Sequence, residues 1–190
     1  MRRRDFMVLG VGAMTVWPLR IHAQQPPKVP RIGLLLPGTP ASFSLRTKAL
    51  LDGLRELGHV EGKTIAIEWK WGQDRVETLS ELAAELVRSN VDVVITGGTS
   101  AARALAAATA IIPIVVAIVG DPVAAGLVNN LARPGGNLTG FSIFAPELGG
   151  KRLELLKEIV PNVSSVAVLL NSLNPQSKIE LRRCRRRPRQ

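Results

Sequence analysis

The feature that most constrains the fold is the alternation of short apolar segments with stretches of helical periodicity along residues 31–144. Buried parallel strands are continuous apolar runs, and a strand, a crossover helix and a second strand form one right-handed unit. The alternation therefore predicts an α/β fold with a doubly wound parallel sheet. The predicted strands are 31–38, 63–72, 91–98, 112–122 and 138–144.

The segments between these strands have the periodicity of amphipathic helices. Residues 44–58 place one set of apolar residues on one helical face, and Gly58 ends the pattern. The set is Leu45, Ala49, Leu50, Leu54 and Leu57. Residues 75–90 predict a second helix, and 99–110 predict a third that consists of small residues. A short helix is also predicted in the string VAAGLVNNLA, which follows the fourth strand.

A second unit begins after the fifth strand. Residues 146–162 predict a helix, and 163–171, with the sequence VSSVAVLLN, predict a buried strand. No further strand pattern follows to pair with it, so its backbone groups and apolar side chains would face water. We therefore expect the chain to be partly unfolded from about residue 146 onward.

The start of the chain has the pattern of an export signal, which we assign to residues 1–23. The charged string MRRRDF precedes the apolar run MVLGVGAMTVW, and Ala23 offers a cleavage position. The run is too short to span a bilayer. Arg3 and Arg4 fit a twin-arginine signal, and a general secretory signal is the alternative. Both predict a periplasmic protein, in which residues 24–30 form a Pro-rich linker.

The net charge of +10 is concentrated at the two ends of the chain. Residues 1–23 carry four arginines against one aspartate, and residues 178–190 carry seven basic residues against one glutamate. The part between them has 14 basic and 13 acidic residues. A nucleic-acid-binding domain needs a basic face on its folded part, commonly with interleaved aromatic side chains. We therefore predict no nucleic-acid partner.

The sequence offers no recognisable set of residues for catalysis or metal binding. Cys184 is the only cysteine, so there is neither a disulfide framework nor a thiolate metal cluster. His59 follows a predicted helix end, where histidine commonly interacts with the last carbonyls. The glycines of TGGTS lack the spacing of a dinucleotide or phosphate loop. We predict that the protein is not an enzyme and has no cofactor; the alternative is a small α/β enzyme or a nucleotide-binding module.

Three polar turns follow the first, third and fourth strands, with the sequences PGTPASF, GGTS and GDP. The carboxyl ends of parallel strands share one edge of the sheet, where ligands bind. We expect Thr99 or Ser100 to cap the third helix, whose amino terminus attracts a carboxylate. Asp121 could accept hydrogen bonds from an ammonium group, so the turns predict a clamp for an amino-acid zwitterion. Alternatively, Thr99 is only a cap and Asp121 only a turn residue.

Three segments closely resemble the solute-binding proteins of ABC importers, in the branch associated with tryptophan and tyrosine. They are LLDGLRELGHVEGKTIAIEWKWGQDRVETLSELAAELV, VVITGGTSAARAL and VGDPVAAGLVNNLARPGGNLTGFS. The resemblance extends to about Gln176, and its most specific part is the string from DPVAAGLV to LARPGGN. It implies a type I periplasmic-binding-protein-like fold, whose two lobes close around a small ligand and deliver it to a membrane permease.

The resemblance also implies a set of ligand-binding residues, with an amino acid, such as an aromatic one, as the ligand. The residues are Gly38, Thr39, Thr99, Ser100, Asp121 and Asn171. Asn171 would end the first strand of the second lobe. Phe43 follows the first strand, where it either stacks on an aromatic ligand or fills a gap in the core.

The chain departs from the family pattern after Asn171, where members continue to complete the second lobe. We therefore expect a first lobe over 31–145, the start of an incomplete second lobe over 146–176 and an aberrant Arg-rich tail over 177–190. The tail is either the product of a frameshift or a disordered basic arm that binds membranes or nucleic acid nonspecifically. With half of the cleft missing, we expect ligand binding to be impaired.

Overall fold

The structure is a computed structural model that describes residues 29–143, 148–172, 177 and 181–182. The predicted export signal, most of the linker and most of the Arg-rich tail lie outside the described residues. The regular elements are β1 (Arg31–Leu36), α1 (Pro40–Glu56), β2 (Ala66–Trp71), a 3₁₀ turn (Val76–Thr78), α2 (Leu79–Arg88), β3 (Val93–Thr96), α3 (Thr99–Ala108), β4 (Ile114–Val119), β5 (Leu138–Ser142) and α4 (Leu148–Ile159).

The five strands form one parallel sheet in the order β2-β1-β3-β4-β5. β1 pairs with both β2 and β3, and β4 pairs with β3 and β5. The strand order reverses at β1, because the chain first adds β2 on one side and then adds β3 to β5 on the other. This arrangement confirms the predicted α/β fold with a doubly wound parallel sheet.

The larger core cluster lies between the sheet and the helices α2 and α3. Leu35, Val94 and Val116 from three strands are fully buried there. Leu86 of α2 and Leu105 of α3 pack against them and are also fully buried. The small residues of α3 allow this helix to approach the sheet closely, as its sequence predicts.

The opposite face of the sheet is covered by α1, and only over part of its width. Leu34 and Leu36 of β1 are buried beneath this helix. Phe43 of α1 packs against this cluster with its ring centroid 6.5 Å from that of Trp71. Of the two roles that the sequence left open for Phe43, stacking on a ligand or filling a gap in the core, these contacts support the second. Trp71 in turn stacks on Trp69, with the ring centroids 5.7 Å apart.

Two sequence predictions of regular structure are wrong. The string VAAGLVNNLA contains turns rather than a helix, since Pro122 opens a turn and Gly126 has a positive φ of 71°. Residues 163–171 do not form a strand, and Leu169 is fully exposed. A strand requires hydrogen bonds to a neighbouring strand, and the sheet of the described chain ends at β2 and β5.

Candidate functional site

The loops at the carboxyl edge of the sheet are held together by backbone hydrogen bonds. The Gly98 N–H after β3 donates to the carbonyl of Ile118 in β4, at 2.7 Å. A Cβ built on Gly98 would lie 3.6 Å from Cγ of Pro37, which follows β1. The turns after β1, β3 and β4 therefore meet at one edge, as the sequence predicts.

Gly38 and Thr39 form the junction between β1 and α1. Gly38 is buried, and a Cβ on it would lie 2.8 Å from the ring of Phe43, so only glycine allows this close approach. The Thr39 hydroxyl accepts a hydrogen bond from the Ser42 N–H at 3.2 Å, and the Thr39 N–H donates to the Ser42 hydroxyl at 3.0 Å. This capping box gives Thr39 a structural role at the start of α1.

Thr99 and Ser100 occupy the first two positions of α3, and neither is its N-cap. The N-cap is Gly98, which has a φ of 93° and no side-chain capping bond. The expected cap by Thr99 or Ser100 is therefore wrong, because the positive φ of the turn puts glycine in the capping position. Thr99 is only 4% exposed, whereas Ser100 is half-buried.

The amino terminus of α3 points its backbone N–H groups toward the carboxyl edge without a side-chain cap. Its position is fixed from two sides. The buried Thr96 hydroxyl donates to the carbonyl of Leu35 at 2.7 Å, which ties the end of β3 to β1. The bond from Gly98 to Ile118 ties the start of the helix to β4. A rigid, positive helix terminus of this kind suits an anion.

Asp121 lies half-buried in the turn after β4. Its Oδ1 accepts a hydrogen bond from the Ala124 N–H at 2.9 Å, and its carbonyl accepts one from the Ala125 N–H at 2.9 Å. Asp121 therefore organises its own turn, as the structural alternative predicted.

Asn171 is distant from these loops in the sequence and does not follow a strand of the sheet. It is exposed and lies in the segment after α4, which has no regular structure. The expectation that it ends a strand is wrong, since residues 163–171 form no strand.

The loop after β2 also contributes to this edge, which the sequence pattern did not predict. The Gln73 N–H donates to the carbonyl of Gly38 at 3.1 Å, and the Asp74 N–H donates to that of Pro37 at 2.9 Å. Both residues have positive φ angles, 53° and 59°. The string GQD, which is rich in turn-forming residues, is the signal that could have shown this fourth loop.

The titratable groups with shifted pKa values lie outside these loops. The hydrogen bond between Lys70 Nζ and Glu85 Oε2, at 2.6 Å, raises the pKa of Lys70 and lowers that of Glu85. This pair joins β2 to α2. Among the described residues, no group of three or more acidic, histidine or cysteine side chains could hold a metal ion. The edge thus has the chemistry of a binding site, with helix amides for an anion and a carboxylate for a cation.

None of the helices in the described part of the chain combines the length and the hydropathy that a membrane span requires.

The sequence matches the model of the ABC transporter substrate binding protein family over residues 39–187. A curated relative, the tyrosine-binding protein of Clostridioides difficile strain R20291, is 34% identical over 140 residues. That match covers 74% of this chain and 40% of the relative.

Solved structures with the same fold include three that cover more than four fifths of the chain. A conserved domain protein from Vibrio cholerae is 34% identical with a TM-score of 0.74, over 83% of this chain. An ABC domain from Streptococcus pneumoniae in complex with L-Trp is 32% identical with a TM-score of 0.72, over 82%. The ligand-free, open structure of a substrate-binding protein with adhesive properties from Clostridium difficile is 30% identical with a TM-score of 0.62, over 82%.

The chain spans about half of the length of these three solved structures, since 52% of each is covered. The family model matches most of the residues, and the solved structures share the fold at about a third sequence identity. The chain therefore belongs to the ABC transporter substrate binding protein family.

Proposed function

We propose that the chain is the extracytoplasmic solute-binding component of an ABC importer and that it binds a small ligand, an amino acid, at the carboxyl edge of its sheet. The observation that carries this proposal is the 2.7 Å hydrogen bond from Gly98 to Ile118. It holds the amino terminus of α3 beside the turn that contains Asp121. A positive helix end and a carboxylate in neighbouring turns are complementary to the two charges of an amino acid.

In this proposal the α-carboxylate of the ligand accepts hydrogen bonds from the first N–H groups of α3, at Thr99 and Ser100. The helix dipole favours the negative charge at this position. The ammonium group donates to the carboxylate of Asp121, which forms a charge-assisted hydrogen bond. Gly38 and Thr39 line the neighbouring loop, and Asn171 would approach the ligand from the second unit of the chain.

An aromatic amino acid is the ligand class that the comparisons favour. One relative is named for tyrosine binding, and one solved structure holds L-Trp. Phe43 is half-buried and packs against the core cluster beneath α1, so we assign the ligand-stacking role to no described residue.

The transport role follows from the family. We propose that the protein works in the periplasm, after export directed by residues 1–23, and that it delivers its ligand to a membrane permease. It acts by binding rather than by turnover, because the edge combines an anion site with a carboxylate and no recognisable nucleophile and base.

Isothermal titration calorimetry of the full chain with the twenty amino acids tests the proposal. We expect L-Trp or L-Tyr to bind. The N-acetyl and the carboxamide derivatives of the same amino acid should each bind at least about 10-fold more weakly, since each removes one charge that the site recognises.

ATP and NAD serve as controls for the nucleotide-binding alternative. The proposal is wrong if no amino acid binds, or if both blocked derivatives bind as tightly as the free amino acid. Tight binding of a nucleotide in place of amino acids would favour the alternative.

A further inference from the structure

Three consecutive backbone N–H groups after β2 donate to three consecutive carbonyls at the end of β1. The bonds run from Gly72 to Leu36 at 2.8 Å, from Gln73 to Gly38 at 3.1 Å and from Asp74 to Pro37 at 2.9 Å. We call residues 72–74 the β2 loop. Because β1 ends at Leu36, the bonds to Pro37 and Gly38 hold the turn after the strand rather than the sheet itself.

Two residues of the β2 loop adopt the left-handed backbone conformation in making these bonds. Gln73 has a φ of 53° and Asp74 a φ of 59°, which residues with a side chain rarely adopt. The third such residue in the described part of the chain is Asn90, with a φ of 53°. Asn90 directly follows the C-cap of α2, where a left-handed asparagine is common. The β2 loop follows a strand instead, and strain of this kind is concentrated at functional sites.

The β2 loop is also held from the side of α2. Gly72 is buried, and a Cβ built on it would lie 2.7 Å from the side chain of Leu79 and 2.8 Å from the carbonyl oxygen of Pro37. The Thr78 hydroxyl donates to the Gly72 carbonyl at 3.2 Å, and Leu79 is only 1% exposed. The loop therefore fills the space between the start of α2 and the turn after β1, and it cannot shift without moving one of them.

Pro37 and Gly38 connect the β2 loop to the starts of two helices. A Cβ built on Gly98, the N-cap of α3, would lie 3.6 Å from Cγ of Pro37. Gly38 directly precedes Thr39, the N-cap of α1. A displacement of the turn after β1 would therefore move both helix starts. The groups of a binding site need to be held within about 0.5 Å of their productive positions, so even a small shift would weaken binding.

We propose that the β2 loop is a positioning element of the ligand site, which places the turn after β1 and, through Pro37, the first amides of α3. This inference rests on the proposed function, in which those amides bind the carboxylate of an amino acid. Gln73 and Asp74 act through their backbone N–H groups and do not contact the ligand. A variant that keeps the left-handed conformation and the N–H group therefore keeps the affinity, whatever its side chain.

Calorimetric titration of the full chain with L-Trp tests the proposal in three variants of Gln73. Gln73→Gly should keep the Kd within about 2-fold, because glycine adopts positive φ freely. Gln73→Val should raise the Kd at least about 10-fold, because a β-branched residue strongly resists this conformation. Gln73→Ala should lie between the two, and it serves as the test if the valine variant does not fold.

Asn90→Val is the matched control. Asn90 has the same φ of 53° and is also exposed, and its N–H donates to the carbonyl of Val87 at 3.3 Å. It lies at the amino edge of the sheet, before β3, and the proposed site is at the carboxyl edge. Asn90→Val should therefore lower the Tm by an amount similar to that of Gln73→Val and leave the Kd for L-Trp within about 2-fold.

Amide hydrogen exchange of the ligand-free chain tests the positioning without any ligand. The N–H groups of Gly98 and Ala102 report on the start of α3, since they donate to the carbonyls of Ile118 at 2.7 Å and of Gly98 at 3.2 Å. Both should exchange at least about 5-fold faster in Gln73→Val than in the parent chain, and at the parent rate in Asn90→Val.

Each outcome bears on one of the two proposals. The positioning role is overturned by an unchanged Kd or unchanged exchange in Gln73→Val, or by equal effects of Asn90→Val. It is also overturned by a loss of binding in Gln73→Gly, which would assign a ligand contact to the Gln73 side chain. A parent chain that binds no amino acid refutes the proposed function instead, and the exchange rates alone then decide whether the β2 loop positions α3.

Discussion

Two substitutions at Asp121 separate a role in ligand binding from a role in the turn. Asp121→Ala removes both the negative charge and the acceptor for the Ala124 N–H. Asp121→Asn removes the charge and keeps an amide oxygen that can accept the same hydrogen bond. The two variants therefore differ in the turn and agree in the loss of the charge for an ammonium group.

The magnitudes follow from the contacts. Loss of the 2.9 Å bond to Ala124 leaves a backbone donor without its cap, which costs about 1 kcal/mol. For a domain of this size that lowers the Tm by about 3–6 °C. The asparagine variant should stay within about 0.5 kcal/mol of the parent chain. Both variants lose a charge-assisted bond to the ligand, about 1.5–3 kcal/mol, which weakens binding by about 10- to 150-fold.

Thermal unfolding by far-UV circular dichroism gives the stability, and calorimetry with L-Trp gives the affinity, both on the full chain. We expect the asparagine variant to separate the two readouts, with a near-normal Tm and weak binding. Unchanged L-Trp affinity in Asp121→Asn would refute the ammonium contact. A Tm as low as that of Asp121→Ala would mean that the charge itself stabilises the turn.

Four further substitutions test the packing, the electrostatics and the candidate site. Gly140→Ala should lower the free energy of unfolding in urea by about 2–4 kcal/mol, because Gly140 has a φ of 147° and a Cβ there would overlap a carbonyl of β4; a smaller loss would show that β5 can shift. The pair with Lys70 lowers the pKa of Glu85, so its stabilisation is present above about pH 4.3 and is lost as the pH falls through the lowered pKa. The Tm of Glu85→Gln should therefore fall less steeply than that of the parent chain between about pH 7 and about pH 3, and parallel curves would contradict this. Thr99→Met should cost about 1–3 kcal/mol of stability in the same urea assay, because Thr99 is only 4% exposed. Ser100→Met should instead weaken L-Trp binding more than it lowers stability. The reverse result would give Thr99 the binding role and Ser100 the structural role.

The five strands could be predicted from the sequence because each is an apolar run, or an alternation of apolar and polar residues, that stops at turn-forming residues. The first run was predicted over 31–38 and forms a strand over Arg31–Leu36, and the fourth was predicted over 112–122 and forms one over Ile114–Val119. The predicted runs extend up to three residues beyond the strands, into residues such as Pro37, Gly38 and Gly97 that lie outside the strands of the structure. Burial drives the hydrophobic signal, and hydrogen bonding to a neighbour sets where a strand ends.

The misses share a physical cause, since each depends on contacts between residues that are distant in sequence or on a backbone angle. VAAGLVNNLA has the composition of a helix, and the turn that starts at Asp121 replaces it. Threonine is a common N-cap residue, but the positive φ of Gly98 makes Gly98 the N-cap, one residue before Thr99. Residues 163–171 have the composition of a strand, and a strand cannot form without a neighbour to pair with.

The buried face of the sheet explains how the edge loops can be ordered without a ligand. The face under α2 and α3 is continuously buried, and from it the Thr96 hydroxyl bonds the carbonyl of Leu35 at 2.7 Å. This bond and the one from Gly98 to Ile118 fix the start of α3 before any ligand arrives. The entropy of ordering the amides is then lost on folding rather than on binding, which favours the affinity of the proposed site.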